Sequence, residues 1–81
     1  MRVEMQAKGS AEAVVLAFTR FGDIARERGW TVRVENPNEL AQGSGRFEIE
    51  LPIIDDETDA HAAVQSAVDE VPGGDQMFTF A

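Results

Sequence analysis

Arg46-Phe47-Glu48-Ile49-Glu50-Leu51 alternates charged and apolar side chains without a break. Successive strand residues point to opposite faces, so this hexapeptide predicts a strand with Phe47, Ile49 and Leu51 turned inward and Arg46, Glu48 and Glu50 turned to water. A strand wet on one side belongs to an antiparallel sheet covered only on the other. The same period of two recurs three times. Met1 to Ala7 sets Val3, Met5 and Ala7 against Arg2, Glu4 and Gln6, and Trp30 to Glu35 sets Trp30, Val32 and Val34 against Thr31, Arg33 and Glu35. Gln76 to Ala81 sets Phe78 and Phe80 against Met77 and Thr79.

Between the strands the period changes to that of a helix. Val14, Ala17, Phe18, Phe21, Ile24 and Ala25 fall on one stripe, while Glu12, Thr19, Asp23, Arg26 and Glu27 face away. Ser10 supplies a hydroxyl cap before this stripe, and Gly29 suits a left-handed terminator after it. Beyond Pro52 the run Asp55-Asp56-Glu57-Thr58-Asp59 opens a second helix, striped by Ala60, Val64, Ala67, Val68 and Val71 and stopped by Pro72-Gly73-Gly74. The stretch Asn36 to Gly45 reads as a polar loop begun by the turn-forming Asn36-Pro37-Asn38, and it is expected to be the most mobile segment.

Strand, helix, strand, strand, helix, strand is the split βαβ order, in which right-handed crossovers put both helices on one side of the sheet. The expected fold is therefore α+β: a ferredoxin-like βαββαβ sandwich, with a four-stranded antiparallel sheet, two helices on one face, and residues 1–81 as a single domain. In the usual strand order, 4-1-3-2, the second and fourth strands are edges. Arg33, Glu35 and Pro37 guard one, whereas Met77-Phe78-Thr79-Phe80-Ala81 leaves the other uncharged and open to strand addition.

Composition narrows the function classes. The 81 residues include no cysteine, so disulfides, thiolate nucleophiles and Cys-ligated metals are out of reach, and a cytoplasmic setting is expected. The first residues alternate instead of forming a basic then apolar leader, and no stretch approaches the ~20 apolar residues of a membrane span. Fifteen acidic against seven basic residues give a net charge of −8, which repels phosphate backbones and anionic lipid and so disfavours direct nucleic-acid or membrane binding. A single lysine among seven basic residues, with abundant alanine and valine, hints at a GC-rich coding sequence, while small size and acidic charge fit an accessory role in a bacterial or phage system.

No catalytic constellation emerges. The acidic run at Asp55 to Asp59 lacks the ligand spacing and turn glycine of a calcium loop, and suits a first helical turn in any case. His61 is the lone histidine and has no sequence partner as base or ligand. Gly43-Ser44-Gly45 joins two strands and Pro72-Gly73-Gly74 leaves a helix, so neither is a phosphate-cradling loop. Strand direction places both near Lys8-Gly9-Ser10. The wet sheet face carries charges where RNA-binding domains of this architecture show stacking aromatics. A regulatory amino-acid-binding domain of the ACT kind fits by size and pattern, but its usual acidic-Pro-Gly approach to the first helix is replaced by Ala7-Lys8-Gly9-Ser10.

These readings converge on a small, acidic, non-enzymatic protein-interaction or accessory domain that needs no cofactor and no metal. It would act as a bacterial or phage regulator or inhibitor by contact with a protein partner or with itself. The candidate surfaces are the last strand's edge at Met77, Phe78 and Thr79, allowing a homo-oligomer, and an acidic sheet face at Glu4, Glu48, Glu50, Arg33 and Glu35. The alternative is an ACT-like small-molecule-sensing module with its ligand held among Ala7 to Ser10, Asn36 to Gly45 and Pro72 to Asp75.

Overall fold

Alternation does what it must in a sheet with one dry side. In the computed structural model, which describes residues 1–81, the first strand β1 (Arg2–Lys8) buries Val3, Met5 and Ala7 and exposes every residue between them. A 17-residue helix, α1 (Ala11–Glu27), follows; the Ser10 hydroxyl accepts from the Ala13 N–H, and Gly29 takes φ +79° just past the end. Its stripe of Val14, Ala17, Phe21, Ile24 and Ala25 is buried, with Phe18 half-buried beside it. Leu16 points to water, 65% exposed, as its position off the stripe requires.

Next come β2 (Thr31–Val34), the short helix α2 (Pro37–Ala41), β3 (Ser44–Glu50), α3 (Glu57–Asp69), a single helical turn α4 (Gly74–Met77) and β4 (Phe78–Phe80). The result is a mixed α+β domain with a four-stranded antiparallel sheet and four helices. The strand order is β2-β3-β1-β4, so the two long strands, β1 and β3, lie at the centre and the short ones at the edges.

The core is aromatic at its middle. Phe47 on β3 meets Phe18 and Phe21 of α1 and Phe78 of β4 edge-on, at ring separations of 5.0, 5.8 and 5.5 Å. Such T-shaped contacts place the positive rim of one ring against the negative face of another. Ala60, Val64, Ala67 and Val68 of α3, and Val71 beyond it, complete the same cluster. At the helix ends, Arg28 pairs with Glu70 and lies 5.6 Å from the centre of the Trp30 ring, tying the end of α1 to the end of α3.

Two segments depart from the sequence reading. Asn36 to Gly45 is not a plain loop: Asn36 Oδ1 accepts from the Asn38 and Glu39 N–H groups at 3.1 and 3.4 Å, and Pro37 occupies the first helical turn. An Asn cap followed by Pro is a helix start as well as a turn signal, and Leu40 decides between them by burying its side chain in the core. The third strand accordingly begins at Ser44 rather than Arg46.

The last strand is shorter than its alternation suggests. Gly74 to Met77 turn once as a helix, and the Phe78 N–H still donates to the Gly74 carbonyl, leaving three residues of strand. Gly74 is pressed against α3 so closely that a Cβ there would stand 2.6 Å from the Val68 carbonyl oxygen. A glycine at this approach lets the chain turn beneath α3 before it joins the sheet.

Candidate interaction surface

The uncovered side of the sheet is built from the outward residues of β1, β2 and β3. Register sets their neighbours: Arg2 lies opposite Glu50, Glu4 opposite Glu48, Gln6 opposite Arg46 and Lys8 opposite Ser44. On the other flank Thr31 lies opposite Glu50 and Arg33 opposite Glu48. Ion pairs follow the register, Arg2 to Glu50 at 3.4 Å and Arg33 to Glu48 at 3.8 Å. With both arginines largely exposed, these pairs orient side chains more than they stabilise the fold.

This face is not acidic, contrary to expectation. Arg2, Lys8, Arg33 and Arg46 balance Glu4, Glu35, Glu48 and Glu50, so its formal charge is zero. The whole net charge of −8 lies on the helices and connections, where three arginines stand against eleven carboxylates. Nothing after Arg46 is basic apart from His61, and six of those eleven carboxylates belong to α3 and the residues next to it. Total charge is legible from composition, but its placement depends on which residues register brings together.

Within this balanced face one pair is mismatched. The Leu51 N–H donates to the Met1 carbonyl and the Gly9 N–H to the Gly43 carbonyl, so odd-numbered residues of β1 form the hydrogen-bonded pairs with β3. Glu4 and Glu48 therefore occupy a non-hydrogen-bonded pair, the closer kind, with side chains on the same side. Like charges directly opposite are unfavourable. Arg33 compensates Glu48, but Glu4 makes no ion pair. A shallow depression of about 320 Å³ opens here, lined by Glu4, Arg33, Glu35, Arg46, Phe47 and Glu48.

The last strand's residues separate. Met77 sits on the helical turn α4, half-buried against the core, and Phe78 is buried with its ring 5.7 Å from that of Phe21. Met77 lies off the strand, whereas Phe78 belongs to it with its side chain turned inward. Thr79 is exposed on the open face opposite Gln6. Because the Ala81 N–H donates to Glu4, the residues turned outward from β4 are Phe78 and Phe80, and the Phe78 N–H is already engaged. That leaves a very short stretch for strand addition.

At one end of the sheet two of the glycine-rich turns meet, and Met77 of α4 lies beside them. Gly9 N–H donates to Gly43 C=O at 2.9 Å, and a Cβ on Gly9 would stand 3.3 Å from Met77 Cγ. Lys8, Glu39, Ser44, Gly45, Arg46, Gln76 and Met77 help to line a broader hollow of about 560 Å³. His61 packs its ring 4.6 Å from that of Phe80, and no group of three or more His, Asp or Glu side chains is placed to hold a metal ion. No helix is long and apolar enough to cross a membrane.

Compared with family models, with curated proteins and with solved structures, the chain shows no match in any of the three.

Proposed function

We propose that this chain is a non-enzymatic interaction or accessory domain of ferredoxin-like build, a regulator or inhibitor that works in the cytoplasm by docking a protein partner on its open sheet face. The observation that carries this reading is the Glu4–Glu48 pair. Two glutamates paired directly across β1 and β3, at the centre of a face whose charges balance only as a whole, cost the free protein stability, and a basic side chain from a partner would relieve that cost. The four-stranded order, with β1 and β3 central, supports the ferredoxin-like assignment.

A partner that inserts a lysine or arginine between Glu4 and Glu48 makes a two-signed prediction. Glu4→Gln removes the repulsion, so the free domain should melt slightly higher, while capture of the partner by photo-cross-linking in the native cell should weaken. Asp23→Asn on α1, exposed and off this face, should leave capture unchanged. Capture that is indifferent to Glu4, or lost equally with Asp23→Asn, rejects this docking surface.

The second reading, an ACT-like sensor of a small molecule, is favoured by the 560 Å³ hollow lined by Ala7, Lys8, Glu39, Ser44 and Gly45 from the first two expected segments and by Gln76 and Met77 just past the third. Its lining mixes Lys8 and Arg46 with Glu35 and Glu39, a pattern suited to a zwitterion such as an amino acid. Thermal shift against amino acids, nucleotides and divalent ions checks it, since a ligand at about 100 times its Kd adds about 2.7 kcal/mol of stability. A flat response across the panel eliminates the sensor.

A further inference from the structure

The other edge of the sheet, β2, offers more free backbone than β4. In an antiparallel pair, alternate residues turn both N–H and C=O toward the neighbouring strand, and those between turn theirs away. The Glu35 N–H donates to the Arg46 carbonyl at 3.1 Å, which fixes the phase. Thr31, Arg33 and Glu35 bond inward to β3, and Val32, Val34 and Asn36 therefore point their backbone groups outward. The Asn36 carbonyl accepts from Leu40, but its N–H is free to donate. Pro37, which alternation alone puts at this edge as a guard, has left the strand path to begin α2. Neither lysine nor proline lies within Thr31–Val34.

We propose that a second copy of this chain pairs antiparallel along β2, with Val34 of each copy meeting at the two-fold axis. Three registers pair the outward valines with one another, and charge chooses among them. With Val32 on the axis, Arg33 faces Thr31 of the second copy and gains nothing. When Val32 faces Val34, Arg33 meets its own symmetry mate. With Val34 on the axis, Arg33 of each copy faces Glu35 of the other, twice, in the closer non-hydrogen-bonded positions. The same register lets the Val32 carbonyl accept from the Asn36 N–H of the second copy. The two residues that look like edge guards in one chain are complementary in two, as a self-matching interface requires.

The contact is short, so the dimer is weak and concentration-dependent. It joins the sheets into one of eight strands and sets two open faces side by side. It involves neither Glu4 nor the helical layer, and although Arg33 and Glu35 also line the depression beside Glu4, the mass of the purified chain tests it apart from partner docking.

Sedimentation equilibrium to about 500 µM, with circular dichroism as the check on folding, tests it. The wild type should approach twice the 8.9 kDa chain mass. Arg33→Glu and Glu35→Arg should each weaken dimerisation about tenfold or more, by placing like charges in both cross-strand pairs, and the double exchange should restore it. A second measurement reads the axis directly. Opposed Cα atoms in a hydrogen-bonded pair are about 5.5 Å apart, within disulfide range. The chain has no native cysteine, so mild oxidation should link Val34→Cys as a dimer and leave Thr31→Cys unlinked. A monomeric wild type, unchanged Arg33→Glu and Glu35→Arg variants, an unrestored double exchange or an unlinked Val34→Cys each overturns the proposal.

Discussion

Phe47→Ala is expected to remove a large part of the domain's stability, about 3–5 kcal/mol. Phe47 is 2% exposed and is the ring on which Phe18, Phe21 and Phe78 converge, so it joins β3, α1 and β4 in one contact set. Truncating a buried phenylalanine to alanine costs about 3–5 kcal/mol through lost transfer energy and the cavity left behind. A domain of this size has total stability of only about 4–12 kcal/mol at ~0.05–0.15 kcal/mol per residue, so the loss consumes a large part of it. The aromatic geometry raises the loss toward the upper end, because three edge-to-face contacts vanish together. Phe80→Ala is the contrast: that ring is 36% exposed and touches only His61 among aromatic partners, so its removal should cost much less. Urea unfolding followed by circular dichroism gives both values, and equal losses would contradict the placement of Phe47 at the core's centre.

The open face inherits its order from this core. Phe47, Met5 and Val3 fix β1 and β3 from beneath, and the alternate residues Glu4, Arg46 and Glu48 are thereby held in register above. Loosening the core would blur the Glu4–Glu48 pair without altering either residue. An exposed substitution such as Glu4→Gln, with stability measured alongside, therefore separates lost docking from lost order.

How much of this was legible before the structure depends on the kind of pattern involved. Period-two and helical stripes on β1, α1, β3 and α3 are local and long, and hydrophobic burial enforced them residue by residue: Val3, Met5, Phe47, Ile49, Val64 and Val68 are all buried. Where a segment was short, a single tertiary contact decided it. Leu40 turned an Asn-Pro turn into α2, and the approach of Gly74 to Val68 turned the first half of an alternating run into α4. Met77 was misplaced for that reason. Interaction surfaces were less legible still, because they depend on pairings between distant strands. Glu4 and Glu48 are 44 positions apart, and the phase of the β2 edge is fixed by the bond between Glu35 and Arg46. Neither follows from spacing along the chain.

Gly43→Ala is expected to be nearly as damaging as loss of Phe47, although it adds one methyl group on a residue of no chemical character. Gly43 takes φ +98°, where a side chain collides with its own backbone, and a Cβ there would also collide with the Gly9 carbonyl oxygen and stand 2.9 Å from the Ala11 nitrogen. These are main-chain atoms at the junction of β1 and α1, held by the Gly9 to Gly43 hydrogen bond at 2.9 Å, so they cannot swing aside as a flexible side chain would. Conformational strain contributes about 1–2 kcal/mol and the forced backbone shift about 1–3 kcal/mol more. Gly29→Ala separates the two contributions, since Gly29 has φ +79° but nothing within 4 Å of a new Cβ; it should lose only the conformational part. Chemical denaturation of both variants should therefore show Gly43→Ala falling well below Gly29→Ala. Similar losses would mean that the two turns are not packed against each other. If the sensor reading is right, Gly43→Ala should also abolish the thermal shift by its ligand, while Gly29→Ala, at the far end of α1, keeps it.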